Sequence, residues 1–491
     1  MNRRTEKKNR TKMTGLVLVA ATCIAVISAS CEKKKGDDNP TIVNGQTLIL
    51  GDGSEAYEIK ENMTLQYPNT YNLQGFVYVV EGVTLTIEPG VIIKGDKSSK
   101  GTLIVERGAK IMAQGTRELP IVFTSSQEPG NRKPGDWGGL IILGKAPNNQ
   151  GEQTIEGGVR SKHGGSDPND NSGVLSYVRV EFAGIEYSPD NEINGITFGS
   201  VGAGTQLDHL QVSYSGDDSF EWFGGTVNAK YLVAYCGWDD DFDTDNGFSG
   251  KIQFALGLRN PKIGDKSASN GFESDNDANG SGSSPFTSCV FANVSLFGPV
   301  SNPTSYTNEA GVNGSDVDAR FQAGMHLRRN TKLSVFNSVI AAYPIGLIIE
   351  NSGRGDAQGN ATNGDLNVTN CVIAGCVRNY QDKQVWASGS QFDDAEGYDV
   401  FVKPYFENQT SNSTFSTLAD LKLSNNPLSL NPLNVFPSSS SPLATGAAWT
   451  NSKVSSWFQQ VNYIGAFGPS ETSSNNWTTD WTNFDPQNTV Y

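Results

Sequence analysis

Hydrophobic residues in this chain come mostly in short runs that are separated by polar, glycine-rich stretches. The runs at residues 333–341 and 366–374 have closely related sequences, and the run at 285–292 is a looser third copy. Such runs recur about every 20–30 residues, the range of stacked repeats. Helical periodicity is almost absent, apart from a weak segment near residues 416–422. This pattern predicts a nearly all-β chain that is wound as a stacked solenoid.

A second pattern gives the register of the turns. Phe220, Phe242 and Phe272 each precede a carboxylate, and these phrases are 22 and 30 residues apart. Because extended backbone alternates its faces, aromatic and acid would point in opposite directions. The predicted inward column is Ile196, Phe220, Phe242, Phe272, Met325 and Leu347, and the predicted outward column is Thr197, Glu221, Asp243, Glu273, His326 and Ile348.

In-register columns favour one architecture over the other β-repeats. A β-propeller needs about 40–50 residues per blade, and an immunoglobulin-type sandwich has no such columns. Parallel strands connect right-handedly by rule. We therefore predict an all-β fold, a right-handed single-stranded parallel β-helix with an irregular C-terminal cap.

The composition changes along the chain and divides it into four parts. We predict a signal peptide at 1–30, a polar tether and N-terminal cap at 31–74, the β-helix at 75–376, and last irregular turns with a cap at 377–491. The last part is expected to cover the open end of the solenoid. Its tryptophans are expected to pack in the cap core rather than to form a sugar-binding platform; they are Trp449, Trp457, Trp477 and Trp481.

The first residues predict export. A basic segment precedes an apolar run at 15–27, which is too short for a membrane-spanning helix, and small residues then lead to Cys31. A cysteine in this place resembles a bacterial lipobox, which implies acylation (palmitate) of Cys31. The charged stretch that follows resembles the surface-export signals of Bacteroidota lipoproteins and implies the cell outer membrane, facing the exterior. Ordinary secretion and periplasmic retention stay open.

The net charge limits the classes of binding partner, and the cysteine spacing limits the kinds of metal site. The formal net charge is −15, which disfavours nucleic acid or an anionic membrane surface as a partner. Cys236, Cys289, Cys371 and Cys376 lack the spacing of a zinc site, and a disulfide among them stays open.

The acidic column predicts a metal site. Like charges about 4.8 Å apart repel each other unless a cation lies between them. Oxygen donors alone favour Ca²⁺ over zinc or copper. The predicted ligands are Asp241, Asp243, Asp245, Glu273, Asp275, Asp277 and Asn279. The alternative is that Asp, Asn and Gly merely form solenoid corners.

Catalysis is a further hypothesis for the same face. Asp243, Glu273, His326 and Arg328 resemble the layout of polygalacturonase-type hydrolases, whose sequence motifs are nevertheless absent. An analogy with pectate lyase would make Arg328 or Arg329 the base. Fold analogy is a weak warrant, so we favour a non-catalytic function and interpret His326 as an exposed strand residue. Candidate ligand-binding residues beside the acids are Glu221, Trp222 and Trp238.

Several glycine-rich phrases resemble a known family. They include Ile-Glu-Pro-Gly and Trp-Gly-Gly, and lie at residues 82–90, 101–113, 135–143, 465–469 and 481–486. Over most of residues 75–487 the chain resembles the secreted or lipid-anchored right-handed parallel β-helix proteins of Bacteroidota, which are mostly uncharacterised. The resemblance implies fold and location.

Taken with the acidic column, it leads us to expect a surface lipoprotein with calcium-stabilised acidic turns. It would bind extracellular polysaccharide or another extended ligand and pass it to a TonB-dependent outer-membrane transporter. The alternatives are a calcium-dependent polysaccharide lyase or glycoside hydrolase, and a structural subunit of an outer-membrane complex.

Overall fold

A computed structural model describes residues 45–491, except 190, 307–316, 385–398, 410, 425–427, 432 and 455. The predicted signal peptide, Cys31 and nearly all of the tether lie outside the described residues. No helix within the described part is long and apolar enough to cross a membrane.

Most of the regular secondary structure in the described chain consists of short strands, which turns and loops connect. The strands are β1 (Thr47–Gly51), β2 (Tyr57–Ile59), β3 (Met63–Leu65), β4 (Thr70–Gln74), β5 (Phe76–Val79), β6 (Thr84–Ile87), β7 (Ile92–Gly95), β8 (Thr102–Val105), β9 (Lys110–Gln114), β10 (Ile121–Ser125), β11 (Leu140–Leu143), β12 (Gln153–Thr154), β13 (Lys162–His163), β14 (Gly173–Glu181), β15 (Glu186–Ser188), β16 (Asn191–Glu192), β17 (Ile196–Val201), β18 (Gln206–Ser213), β19 (Phe220–Gly225), β20 (Asn228–Tyr235), β21 (Phe242–Asp245), β22 (Lys251–Leu258), β23 (Phe272–Ser274), β24 (Val290–Phe297), β25 (Ala323–Leu327), β26 (Ser334–Phe336), β27 (Val339–Ala341), β28 (Ile345–Ile349), β29 (Asn367–Thr369), β30 (Val372–Ala374), β31 (Arg378–Gln381) and β32 (Ser413–Phe415). Two short helices, α1 (Ala357–Thr362) and α2 (Val402–Glu407), and a 3₁₀ turn (Leu418–Leu421) complete the elements.

Two long parallel sheets form the solenoid. The smaller, 11-stranded sheet takes one strand from each turn, in the order β2-β5-β8-β11-β17-β19-β21-β23-β25-β28-β31. The larger, 17-stranded sheet begins as two ladders, β1-β4-β7-β10 and β3-β6-β9, which join where β14 pairs with both β9 and β10. The strands are parallel throughout both sheets, as the sequence predicted for a right-handed parallel β-helix.

The inward column fills the interior as predicted. Phe220 pairs with Phe242, and Phe242 pairs with Phe272, so that their rings follow each other at 5.7 and 5.6 Å between centroids. All three side chains are fully buried, as are Ile196, Met325 and Leu347. Each such side chain contributes about 1.5–3 kcal/mol by leaving water. The repeated aromatic is thus the core of successive turns.

The longest strands bend at one residue each. Tyr177, His209, Tyr231 and Phe254 adopt left-handed backbone conformations in the middle of β14, β18, β20 and β22. Their rings stack from turn to turn, at 4.2, 4.4 and 5.2 Å between successive centroids. Ring stacking offsets part of the strain of this conformation. The corner positions Asn293, Asn337 and Asn370 continue the left-handed line in later turns.

The predicted C-terminal cap divides into two parts. Helix α2 packs at the end of the solenoid, where Val402 and Phe406 join the main core. Residues 446–491, which we call the strap, instead run back along the outer flank of the larger sheet. Successive strap contacts are Asn370 Nδ2 to the Gly446 carbonyl (3.0 Å), Asn337 Nδ2 to the Ala448 carbonyl (3.0 Å), Gln253 Nε2 to the Gln459 carbonyl (2.7 Å), Gln211 Nε2 to the Asn483 carbonyl (2.8 Å) and Lys94 Nζ to the Tyr491 carbonyl (3.1 Å).

Under the strap lies a second apolar cluster. It joins flank residues such as Tyr235, Leu258 and Phe297 to strap residues such as Ile464, Phe467 and Trp481. Trp477 packs against the same cluster, and Trp449 and Trp457 pack on a smaller one nearby. The cysteines Cys236, Cys289, Cys371 and Cys376 are buried and free.

Candidate metal centre

The outward column forms in the predicted register. Strands β17, β19, β21, β23, β25 and β28 place Thr197, Glu221, Asp243, Glu273, His326 and Ile348 side by side in successive turns. These residues do not face open solvent: Glu221 and His326 are buried, and Asp243 and Glu273 are half-buried. The column therefore lies in a covered, low-dielectric groove.

Four further acids reach this groove from the turns. Asp217 and Asp218 precede β19, and Asp239 and Asp240 precede β21 in the next turn. With the column they form three sets whose donor atoms lie within 4.8 Å of one another. The sets are Asp217–Asp218–Asp239, Asp218–Glu221–Asp243 and Asp240–Asp243–Glu273. Since Asp218 and Asp243 each belong to two sets, the carboxylates form one continuous line.

Backbone hydrogen bonds fix the orientation of part of this line. The Asp240 N–H donates to Asp218 Oδ1 at 2.8 Å, and the Asn270 N–H donates to Asp240 Oδ1 at 2.5 Å. The Asn194 amide donates to Glu221, and its own oxygen accepts from the Asp218 N–H at 3.2 Å. The acids are therefore held in place by groups that carry no charge.

Three other oxygens in the groove have no hydrogen-bond partner among the described residues. They are Asp239 Oδ1, Asp243 Oδ1 and the hydroxyl of Thr197, which is 1% exposed and adjoins Glu221 in the column. A buried polar atom without a partner is rare in a folded protein and calls for an explanation. Carboxylate and hydroxyl oxygens are among the donor types that Ca²⁺ takes, and these unpaired ones lie along the same line of acids.

Burial and mutual repulsion act together on the same acids. Burial, followed by the neighbouring carboxylates, raises the pKa of Asp218, Asp240 and Asp243 well above its usual range, and that of Asp239 to about 7. Two unit charges at this separation repel by about 3–4 kcal/mol at an effective dielectric constant of 20. No lysine or arginine in the described part of the chain forms an ion pair with these acids. A proton or a cation must therefore offset the charge.

In the next turn of the groove, by contrast, arginines neutralise the charge of the carboxylates. Arg328 is hydrogen-bonded to Glu273 and also donates to Asp275 at 3.0 Å, while Arg329 donates to Asp275 at 2.7 Å. Burial opposes ionisation of Glu273, but Arg328 and His326 outweigh it and lower the pKa of Glu273 to about 2. Glu273 is thus ionised and already has cationic partners.

The interpretation of His326 as an exposed strand residue is wrong. Its side chain is fully buried, with Nε2 at 3.2 Å from Glu350 Oε1 and Nδ1 at 3.6 Å from Glu273 Oε2. Burial favours the neutral imidazole, but the carboxylates of Glu273 and Glu350 outweigh it and raise the pKa of His326. The sequence showed the column position of His326 but not the segments that cover it.

Several predicted metal ligands are engaged elsewhere. Asp241 forms a fully buried ion pair with Arg259 at 2.8 Å, because the backbone turns inward just before β21. Asp277 accepts from the Asn279 N–H at 2.9 Å, as in an ordinary Asx turn. Asp245 accepts from the Asn246 N–H at 2.6 Å, and Asp275 is held by the arginines described above. Of the predicted ligands, the three carboxylate sets include Asp243 and Glu273.

The two candidate tryptophans have opposite environments. Trp222 is fully buried between Phe198 and Phe248, at 5.6 and 5.3 Å between ring centroids, so its prediction as a ligand contact is wrong. Trp238 is 40% exposed and lines a second groove, which is open and has a volume of about 470 Å³, together with Ile185 and Lys266. This second groove adjoins the Asp217–Asp239 end of the carboxylate line, since Gly216 and Trp238 both line it.

A protein-family model described as a pectate-lyase-like β-helix domain matches residues 57–423. The chain belongs to this family. No curated protein and no solved structure matches it. A β-helix domain of this type fits a role connected with polysaccharides.

In this pectate-lyase-like β-helix protein, Arg328 does not have the environment of a base. An arginine that abstracts a proton must first be neutral. Burial favours the neutral form, but Glu273 and Asp275 outweigh it and raise the pKa of Arg328 further. Arg328 therefore serves as a counter-ion that neutralises one end of the groove.

The turn acids Asp217, Asp218, Asp239 and Asp240 are candidate ligands that the predicted ligand set did not include. Their signal was present: an Asp-Asp pair precedes the aromatic-acid phrase in two consecutive turns, at 217–218 and 239–240. The period-2 rule for strands does not extend into turns, where side-chain direction depends on local backbone conformation.

Proposed function

We propose that this β-helix protein binds Ca²⁺ along the line of carboxylates from Asp217 to Glu273 and uses it to bind extracellular polysaccharide. The observation that carries the proposal is a line of buried and half-buried acids. Within the described residues, those of the three sets other than Glu273 have no lysine or arginine ion-pair partner, and two of them have an oxygen without a hydrogen bond. Ca²⁺ takes six to eight oxygen ligands, among them carboxylates and waters, in flexible geometry. Such a line can supply several of them and gains the most from a cation.

The groove beside Trp238 is the proposed place of the polysaccharide. Its exposed indole offers an apolar face to a sugar ring, and Asp239 adjoins it in sequence. A cation held by Asp217 and Asp239 would lie at the edge of this groove, where sugar oxygens can replace its waters. Long solenoid faces suit extended polymers of this kind.

Binding without cleavage is favoured over catalysis. Glu273, His326 and Arg328 form a mutually neutralised cluster, and Glu273 with its lowered pKa is a poor proton donor. The family relationship keeps a calcium-dependent lyase or hydrolase as the second candidate. The two functions differ in whether polymer chains shorten.

Calorimetry on protein freed of metal by EDTA tests the cation step. Wild-type protein should bind Ca²⁺, and Asp243→Asn should bind it at least about tenfold more weakly, because it removes a charge shared by two sets. Glu118→Gln, an exposed acid outside the groove, is the matched control and should bind as wild type. Absence of binding, with an unchanged melting temperature in Ca²⁺, would refute the cation site.

A panel of neutral and acidic polysaccharides tests the ligand step. Binding should require Ca²⁺ and Trp238, so Trp238→Ala should abolish it while Glu118→Gln retains it. Shortening of the polymer in a reducing-end assay would establish the enzyme instead. A cation that raises the melting temperature with no glycan bound would support a structural subunit.

Location is also a proposal, which rests on the sequence around Cys31. We propose a lipid-anchored protein of the outer membrane, facing outward as in Bacteroidota lipoproteins, that passes glycan to a TonB-dependent transporter. Incorporation of labelled palmitate should be lost in Cys31→Ser. Proteinase added to intact cells should digest the wild-type protein, and its full protection would contradict surface exposure.

A further inference from the structure

One buried arginine holds the segment that carries two acids of the metal centre. Arg259 follows β22, and its guanidinium is fully buried. Nη1 donates to Asp241 Oδ1 at 2.8 Å and lies 3.5 Å from the Asn270 carbonyl, while Nη2 donates to the Trp238 carbonyl at 3.0 Å. A single side chain thus ties both ends of residues 238–241 to the turn before β23.

The residues between those two ends are the acids themselves. Asp239 belongs to one outer carboxylate set and Asp240 to the other. Asn270, whose carbonyl lies against Arg259, also orients Asp240 through its N–H at 2.5 Å. Within the described residues, Arg259 hydrogen-bonds to none of the carboxylates in the three sets.

We infer that Arg259 is a positioning residue of the cation site, which fixes the backbone from which Asp239 and Asp240 reach the cation. The inference rests on the proposed function. Groups that orient metal ligands typically change affinity by about 10–100-fold when they are replaced. The planar fork of an arginine spans Asp241 and two carbonyls at once, whereas the single ammonium of a lysine cannot.

The test compares Arg259→Lys with the double variant Asp241→Asn/Arg259→Met. The first keeps a positive charge beside Asp241, and the second removes the buried pair as a unit, which proteins often tolerate. Calorimetry with Ca²⁺ gives the affinity, and Tb³⁺ emission sensitised by Trp238 reports the site directly. Both variants should bind about 10–100-fold more weakly at a temperature at which melting curves in EDTA show them folded.

Arg179→Lys is the matched control. Arg179 is also buried and donates to a carbonyl, that of Trp481, but it holds the strap rather than the acidic segment. This variant should have a lower melting temperature than the wild-type protein but the same affinity for Ca²⁺, as expected of a purely structural arginine.

The outcomes separate this inference from the function beneath it. If the wild-type protein binds Ca²⁺ and both Arg259 variants bind it with the same affinity, the positioning role is overturned but the cation site is not. Recovery of affinity in the double variant would also overturn it, because Arg259 would then act only by neutralising Asp241. If Arg259→Lys does not fold, the double variant decides. A wild-type protein that binds neither Ca²⁺ nor Tb³⁺ would overturn both proposals.

Discussion

Two neighbouring acids of the outward column differ in whether a cationic side chain neutralises them. Glu273 has arginine and histidine partners, whereas Asp243, one turn earlier on the same face, has an oxygen that no described residue hydrogen-bonds. The difference arises from the turns, since Arg328 and Arg329 follow β25 and reach back only as far as Glu273 and Asp275. Repulsion is therefore concentrated between Asp217 and Asp243, and substitutions there should have the largest effects.

Asp218→Asn should make the metal-free protein more stable and the calcium complex weaker. Asparagine keeps the oxygen that accepts from the Asp240 N–H, but it removes a charge that belongs to two sets. Relief of about 1 kcal/mol of repulsion corresponds to a rise of about 2–4 °C in melting temperature for a large domain. Calorimetry and melting curves at pH 8 in EDTA check both effects, with Glu118→Gln as control. A lower melting temperature in EDTA would contradict the electrostatic argument.

The pH dependence of the metal-free protein should have an unusual sign. An acid whose folded pKa exceeds its unfolded value binds more protons when folded, so stability falls as pH rises through that interval. Burial, followed by nearby carboxylates, raises the pKa of Asp239 to about 7 and that of Asp245 to about 8. The stability they contribute is present near pH 4 and is lost by about pH 8.

Melting temperature in EDTA should therefore rise as the pH is lowered from 8 to 5. His163, whose pKa burial lowers to about 4, acts in the opposite sense but is a single group. Saturating Ca²⁺ should reduce the part of this slope that comes from Asp239 and the other acids of the three sets, because acids that bind the cation stay ionised. A metal-free profile that falls steadily from pH 8 to 5 would show that the acids are not coupled as described.

Three of the seven acids in the candidate site could be predicted from residue spacing. Glu221, Asp243 and Glu273 followed from the alternation of a strand and from the recurrence of one phrase, which together give both face and register. Asp218 and Asp240 did not follow, because a turn has no fixed side-chain period. The pairing of Asp241 with Arg259 was also beyond the sequence, since the two residues meet only after the chain completes a turn.

At the level of elements, the corners of the long strands combine strain with stacking. A left-handed conformation costs about 1–2 kcal/mol for a residue with a Cβ atom, and asparagine tolerates it best. The side chain of Asn337 also makes two hydrogen bonds to the strap: Nδ2 donates to the Ala448 carbonyl at 3.0 Å, and Oδ1 accepts from the Ala448 N–H at 2.9 Å. One corner residue therefore serves both the bend and the attachment of the strap.

Asn337→Ala should lower the free energy of unfolding by about 3 kcal/mol, since it loses two hydrogen bonds and adds strain. Asn337→Gly separates the two causes, because glycine adopts the same backbone conformation without strain. It should be about 1 kcal/mol less destabilising than the alanine variant in denaturant titrations. Equal losses in both variants would assign the whole effect to the hydrogen bonds.

The elements themselves were predictable because they repeat. Stacked turns place like residues on like positions, so alternation and recurrence gave the parallel β-helix and its inward column before any coordinates. The strap was not predictable in this way. It pairs through side chains of Asn337, Gln253 and Gln211 with segments more than 100 residues away, and no periodicity marks such contacts.

For the whole molecule, the strap changes how a solenoid holds together. Turns of a repeat protein contact mainly their neighbours, so the ends can open separately. Here one segment crosses many turns and buries the apolar flank of the larger sheet, with Trp481 at one end and Ile464 nearer the other. Loss of the strap would expose that flank and remove contacts from several turns at once. The bound strap should therefore make the turns unfold cooperatively.

Phe467→Asp should release the strap while leaving the main core intact. Phe467 is buried against Phe436 and Trp477, at 5.1 and 5.2 Å between ring centroids, and a buried unpaired carboxylate there costs several kcal/mol. Hydrogen exchange should become faster throughout residues 446–491 and in β22 and β24, but not in β8 or β11 on the other sheet. Val490→Asp introduces the same carboxylate at an exposed position of the strap and should leave hydrogen exchange unaltered. Faster exchange confined to residues near 467 would mean that the strap is held piecewise, turn by turn, rather than as one unit.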